Sequence, residues 1–256
     1  MNIKYLKLIT LLLSIFASSC ATVSAPDERD PWESMNRSIY SFNDGFDRAI
    51  GRPVAEAYQF ILPDVVETGI SNFFSNLNDV VVIVNDLLQF KFLQAASDFT
   101  RLLINSTFGL LGIFDIATQM EVPKHDEDFG QTLATWGVGD GAYLVLPLLG
   151  PSSVRDTTGL IFDAYYLLPI TYVNDDEVRW GLIALAAVDK RASLLEASRI
   201  LEKSGVDPYV FVRDAYYQVR QNQIYDGNPP TTRTFTEPTA DDLLLEDELE
   251  KELQLQ

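Results

Sequence analysis

Apolar residues recur three or four apart along most of the chain between residues 32 and 220, and few of the runs are long. Met35, Ile39, Phe42 and Phe46 fall on one face of a helix predicted over 32–49, with Asn36, Arg37, Asn43 and Asp44 close beside that face. Asp30-Pro31 ahead of Glu33 supplies its start, because proline fits a first turn and a carboxylate there meets the positive end of the helix dipole. Short helices follow over 53–60 and 64–74, separated by Pro63, the second with Val66, Ile70, Phe73 and Phe74 apolar. Residues 78–90 contain Val80-Val81-Val82-Ile83-Val84, whose propensity favours a strand. Asn85-Asp86 interrupts that run and its surroundings are helical, so the reading is a helix. Leu93, Ala96, Phe99, Leu102 and Leu103 mark another over 92–106, and 110–117 is a short apolar piece with Gly109 and Gly112 beside it.

Between 129 and 156 the pattern changes. Helix-compatible residues give way to Gly137, Gly139 and Gly141, then to an apolar run from Ala142 to Leu149 broken by Pro147, then to Gly150-Pro151 and Arg155-Asp156. The glycines free the backbone and the prolines exclude a regular helix. The spacing G-x-G-x-G is not that of a dinucleotide fingerprint, and no Gly-Lys-Ser/Thr marks a phosphate loop. What remains is a glycine-hinged apolar hairpin that needs an apolar surface to rest on, either the protein's own core or lipid. Arg155-Asp156 reads as a local ion pair at a helix start.

Helices are predicted next over 156–166, stopped by Pro169; over 175–187, capped by Asp175; over 191–203, ended at Gly205; and from Asp207-Pro208, carrying Val212, Tyr216 and Val219. The breaker cluster at 226–230 leads into the acidic stretch 231–256, where Leu245, Leu249 and Leu253 lie four apart. The tail from 223 to 256 reads as disordered, either merely solubilising or forming a transient C-terminal helix. The whole is an all-α fold. Past the N-terminal segment no run reaches the roughly 18 apolar residues of a membrane-crossing helix. Short apolar pieces beside Asn and Asp suit a domain lying in one membrane leaflet; a soluble helical globule is the alternative.

Of the 256 residues, 37 are acidic and 19 basic, for a net charge of -18, which excludes a nucleic-acid partner. An apolar fraction of 47% excludes disorder for the body of the chain. At the N-terminus Lys4 and Lys7 precede an apolar stretch from Leu8 to Phe16, then Ala17-Ser18-Ser19 and Cys20. Residues 1–19 have the form of a secretory signal peptide. Cys20 is the only cysteine, so no internal disulfide forms. Its setting resembles a bacterial lipobox, in which the thiol takes a diacylglycerol and the new amine is acylated. Residues 20–30 would then be a tether, and Ala21 in place of aspartate implies the outer membrane. His125, the only histidine, sits among Lys124, Asp126, Glu127 and Asp128 with no second His or Cys at ligand spacing. It reads as a solvated loop residue. No G-x-S-x-G elbow or H-E-x-x-H occurs and Ser152-Ser153 has no evident base, so neither catalysis, a metal nor a cofactor beyond the acyl groups is expected.

Several blocks stand in a recognisable order. Asp30-Pro31-Trp32-Glu33-x-x-Asn36-Arg37 and Phe42-Asn43 come first, then Asn72-Phe73-Phe74-x-Asn76-Leu77, Val84-Asn85-x-Leu87-Leu88-Gln89 and Asp98-Phe99-x-Arg101. Asn105-Ser106-Thr107-x-Gly109-Leu110-x-Gly112, Phe114-Asp115-Ile116-Ala117 and Asp128-Phe129-Gly130-Gln131-Thr132-Leu133 follow. The most specific is Trp136-Gly137-Val138-Gly139-x-Gly141-x-Tyr143-x-x-x-Pro147-x-x-Gly150-Pro151-x-x-x-Arg155-Asp156, with Asp207-Pro208-Tyr209 and Arg213-x-Ala215-Tyr216 closing the set. Together they resemble the MlaA family of VacJ-like lipoproteins over about residues 30–220, with 31–222 as the helical domain. The resemblance implies a ring-shaped helical domain in the inner leaflet of the outer membrane. Its central amphipathic channel would take misplaced phospholipid from the outer leaflet toward the periplasm. It implies a trimeric porin and a soluble periplasmic lipid carrier as partners, and no enzymatic activity. On that footing Gly137, Gly139 and Gly141 are candidates for the hinge of a gating loop, and Phe42 and Asn43 for the element facing it. A structural lipoprotein that only scaffolds a porin is the alternative, and a lipid hydrolase is disfavoured by the missing nucleophile–base pair.

Overall fold

A computed structural model describes residues 27–203 and 205–230. Cys20, the segment 1–19 and nearly all of the acidic tail lie outside them. The chain runs as helices joined by short turns, with one β-hairpin among the described residues. Helix α1 (Glu33–Phe46) passes through a wide π-type turn, Asp47–Gly51, straight into α2 (Arg52–Ile61). Arg52 N donates to Asp47 O across that turn, which accommodates the missing N–H of Pro53 without a break.

The helices expected over 64–74 and 78–90 are a single 25-residue helix, α3 (Asp64–Leu88). Asn76, at the expected gap, is no helix breaker: its side-chain amide is buried and donates to Ser106 Oγ at 3.1 Å. The valine run is helical, as its surroundings indicated. A turn with Phe90 in the left-handed region leads back along α3 as α4 (Phe92–Thr107). Short helices α5 (Ile116–Gln119) and α6 (Phe129–Thr135) are capped by Asp115 and Asp128, each accepting from a backbone N–H of the first turn. Strands β1 (Tyr143–Leu146) and β2 (Gly150–Ser153) pair antiparallel with Tyr143 opposite Ser153. Ser153 then caps α7 (Val154–Phe162), Asp175 caps α8 (Asp176–Ser193), and α9 (Leu195–Lys203) precedes α10 (Pro208–Ile224), capped by Asp207.

The apolar core is small. Ala55 and Tyr58 of α2 meet Ala192 and Leu195, while Tyr143 and Val145 meet Tyr209 and Tyr217. Asp189 ties three helices, accepting from Tyr58 Oη at 2.9 Å and from Ser71 Oγ at 2.8 Å. Among the described residues no helix is long and apolar enough to cross a membrane.

Candidate functional site

The pairing of α3 with α4 is inverted relative to a soluble helical hairpin. Asn76, Asp79, Asn85 and Asp86 on α3 and Asp98, Arg101 and Asn105 on α4 recur at helical spacing, and all are buried. Each face is polar inward because partners meet it there. Arg101 donates to both Asp115 carboxylate oxygens at 3.1 and 3.0 Å, and Asn105 to Asp115 at 3.0 Å. Lys124 pairs with Asp79; Asn85 accepts from Thr132 Oγ1 at 2.8 Å and donates to Asp163 at 3.1 Å. Buried polar groups are tolerated only when paired, and most of these are. The opposite faces carry apolar residues into the open, Val65 of α3 at 75% and Leu93 of α4 at 90% exposed, and so do Phe60 at the end of α2 (91%) and Phe108 just after α4 (76%).

The turns repeat the pattern. Phe90, Leu110, Leu111 and Leu148 all adopt left-handed backbone, with φ between 52° and 63°. Bulky residues there are strained, and a soluble turn would use Gly or Asn. Here the side chains at these corners project outward as large exposed apolar groups.

Two asparagines on α1 clip the hairpin. Asn36 Nδ2 donates to Tyr143 O at 3.0 Å and Val145 N donates to Asn36 Oδ1 at 2.9 Å. Asn43 repeats the arrangement further along: its Nδ2 donates to Leu146 O at 2.9 Å and Leu148 N donates to its Oδ1 at 2.8 Å. The two rises match, and the turn after Leu146 presents the second pair of backbone groups to α1. Seven helical residues advance ~10.5 Å and the three steps from Tyr143 to Leu146 ~10 Å, so α1 lies along β1, Asn36 pairing the strand edge and Asn43 the turn that follows Leu146. Asn36 is fully buried and also donates to Asp30 at 2.8 Å, joining the N-terminal segment to the same edge. Of the two candidates on α1, Asn43 touches the hairpin. Phe42 does not join the clip; its ring is 59% exposed. The clip formed by Asn36 was not singled out from sequence, although the two-turn spacing from Asn43 on one helix was there to be read.

The hairpin is packed at its base and held at its tip by Asn43 alone of α1, with the tip side chains in the open. Tyr143 is fully buried, its ring 5.8 Å from both Tyr216 and Tyr217 and 6.3 Å from Tyr209. Leu148 and Leu149 at the tip are exposed. Of the three candidate hinge glycines, Gly137 (φ 88°) closes the last turn of α6, with Val138 N donating to Leu133 O at 2.9 Å. Gly141 (φ 68°) is left-handed, and a Cβ there would meet Val154 Cβ at 3.0 Å. Gly139 has ordinary backbone and open space around it. Asp140, between them, pairs with the buried Arg155.

Arg155 and Asp156 do form the expected pair, at 2.9 Å, but it belongs to a wider network. Arg220 of α10 reaches Asp156 at 2.8 Å and grips both carboxylate oxygens of Asp128 at 2.6 and 2.7 Å. Burial opposes the charge on Asp156, yet Arg220 and Tyr216 hold its carboxyl below the usual range. The network fixes α6, α7 and α10 around the hairpin base. His125 also differs from expectation: its Nδ1 lies 2.7 Å from the fully buried Asp98, so it is a fastened residue and not a merely solvated one. Beside Asp98, Asp86 is pushed up to about 8, first by burial and then by the charges of Asp98 and Glu127. Among the described residues no cluster of His, Cys, Asp and Glu is arranged to hold a metal ion.

A protein-family profile described as MlaA lipoprotein matches residues 28–223. A Haemophilus influenzae protein named intermembrane phospholipid transport system lipoprotein MlaA is 32% identical over 250 residues, covering 93% of this chain and 97% of that one. The Escherichia coli K12 protein of the same name is 37% identical over 203 residues, covering 77% and 79%. An uncharacterised Rickettsia felis protein is 35% identical over 195 residues, covering 76% and 78%. A solved structure described as the structural basis for maintenance of bacterial outer membrane lipid asymmetry matches with a TM-score of 0.67 at 32% identity, over 78% of this chain and 99% of the other.

Proposed function

Because the chain belongs to the MlaA lipoprotein family, we propose that it is the lipoprotein of an intermembrane phospholipid transport system serving outer-membrane lipid asymmetry. The helical domain sits in the inner leaflet of the outer membrane. It draws misplaced phospholipid from the outer leaflet through a channel beside the hairpin and passes it to a soluble periplasmic lipid carrier, with a trimeric porin holding it in place. An S-diacylglycerol and an N-acyl group on Cys20 anchor it. It acts without catalysis; His125, the one imidazole, is engaged by Asp98.

The observation that carries this reading is the inversion. Phe60, Leu93 and Phe108 face outward while Asn85, Asp98 and Arg101 face inward. Lipid around the domain stabilises the first set by roughly 1.5–3 kcal/mol per fully covered side chain, relative to water. The polar interior is satisfied largely within the fold, as a domain surrounded by hydrocarbon requires. The Asn43 clip holds the hairpin along α1, and the backbone around Gly137 and Gly141 serves as its hinge.

The test uses cells lacking the gene. Outer-leaflet phospholipid, read with a membrane-impermeant amine label, rises and detergent resistance falls. The intact gene restores both, and a Phe60→Asp, Leu93→Asp double variant restores neither. Unchanged surface phospholipid with altered porin behaviour would favour the scaffold reading instead. Palmitate labelling that survives Cys20→Ala would remove the anchor from the proposal.

A further inference from the structure

A cavity of 370 Å³ opens between α1, the π-type turn after it, the start of β2, α8, α9 and the first turns of α10. Its walls are of two kinds. Leu194, Pro208 and Val212 make one side apolar. The other carries two guanidinium groups, Arg48 and Arg191, and three carboxylates, Asp44, Asp47 and Glu202. Arg48 pairs with Asp44, Arg191 holds Asp47 through Nε at 2.6 Å and Nη2 at 2.8 Å, and Glu202 reaches Arg52 at 2.7 Å. Arg191 keeps one further nitrogen, Nη1, buried and without a hydrogen-bond partner. Such a donor is an open demand for an acceptor. Asn43, the residue that clips the hairpin tip, lines the same cavity, as does Gly150 at the foot of the tip.

Charges of both signs beside an apolar wall match a ligand that itself carries both signs and a hydrocarbon portion. We propose that this cavity is a headgroup site for a zwitterionic phosphodiester lipid of the phosphoethanolamine type. The phosphate lies against Arg191 and Arg48, the ammonium against Asp44 and Glu202, and an acyl chain runs along Leu194 and Val212. Guanidinium groups suit phosphate by geometry as well as charge. Counting Arg52 on Glu202 the charges balance, so discrimination rests on the ammonium, which Asp44 and Glu202 can accept and an anionic glycerol headgroup lacks. The assignment rests on the transport reading and adds to it a site of selection beside the hairpin.

The full-length protein is incubated with vesicles of equal parts phosphatidylethanolamine and phosphatidylglycerol, and bound lipid is extracted and quantified by mass spectrometry. The expected result is a several-fold enrichment of phosphatidylethanolamine over the vesicle ratio. Glu202→Gln combined with Asp44→Asn, both on solvent-accessible side chains, brings the bound ratio back to that of the vesicles. Ser198→Trp, which fills the cavity from α9, lowers the phosphatidylethanolamine bound while the melting temperature holds. Lipid bound by the wild type at the vesicle ratio overturns the headgroup site and leaves the transport reading intact. No lipid bound by any form overturns the transport reading itself. Displacement of the lipid by an equal concentration of soluble glycerophosphoethanolamine overturns the lipid assignment in favour of a free phosphodiester.

Discussion

Asn43→Ala separates a clip on the hairpin tip from the support of its base. The substitution removes two hydrogen bonds, to Leu146 O and from Leu148 N. Each contributes about 0.5–1.5 kcal/mol net, and both groups lie near the surface, where water replaces part of the loss. The tip therefore loosens by about 1–2 kcal/mol. Leu148 sits in left-handed backbone at φ 63°, so the freed tip also has somewhere more relaxed to go. A shift of that size raises the open population by about 5–30-fold. Asn36→Ala is the control at the base. It strands Tyr143 O and Val145 N in a buried site, at about 1–3 kcal/mol each, and lowers global stability. Hydrogen exchange with peptide-level mass spectrometry reads the difference. In Asn43→Ala, peptides covering 146–150 exchange faster by that factor while those covering 143–145 and the urea midpoint stay near wild type; Asn36→Ala moves everything. Equal protection of the tip in wild type and Asn43→Ala would refute the clip.

The remaining predictions bear on the elements around that hairpin. Gly139→Val folds and functions normally, since a side chain there meets open space, whereas Gly141→Val forces left-handed backbone and a clash with Val154, costing about 1–3 kcal/mol and changing outer-leaflet lipid; wild-type behaviour of both would end the case for a hinge at 137–141. Arg220→Met leaves Asp128 and Asp156 without their shared cation and destabilises by about 3–5 kcal/mol, read by urea unfolding; Asp128→Asn, which keeps a hydrogen-bonding group, costs less. Asp86, pushed up to about 8 when folded, releases its proton near pH 4 when unfolded, so the folded chain binds the extra proton between those values. Its contribution is complete below about pH 4 and is lost as the pH rises to about 8, and Asp86→Asn flattens that decline in denaturant titrations at pH 6 and 9. Parallel pH profiles for the two forms would show that Asp86 is not the group responsible.

Most helices were legible because their signals are local. Asp175 and Asp207 cap where a carboxylate before an apolar run says a helix begins, and Gly205, at φ 70°, follows the helix that ends at Lys203. The errors came where a local rule met an unusual solvent. The gap at Asn76 looks like an interruption if the interior is assumed apolar; once the interior is polar Asn76 is its lining, and α3 runs unbroken through it as through Asn85-Asp86, which the helix expected over 78–90 already contained. His125, in a loop, looked solvated because its partner, Asp98, lies 27 residues away on α4, a distance no spacing rule spans. The hairpin was legible as a hairpin from its glycines and prolines, and Asn43 as its neighbour from resemblance. That Asn36 and Asn43 form a matched pair depends on α1 lying alongside β1, which is tertiary information.

The strained corners give the inversion its energetic logic. Leu110, Leu111 and Leu148 each bear about 1–2 kcal/mol for left-handed backbone, a cost glycine would abolish. In water nothing offsets it, because their side chains are exposed and gain nothing from the turn. Against hydrocarbon each leucine gains about 1.5–3 kcal/mol, which exceeds the strain. Glycine at these corners would therefore be favoured in a soluble protein and leucine in a lipid-solvated one. The same comparison applies to Phe90, where α3 turns into α4. These four residues in three turns support the proposed lipid setting independently of the apolar helix faces. Exposed apolar faces also suit a protein partner, but a partner would cover one side of the fold, and these corners lie in three separate turns of the chain.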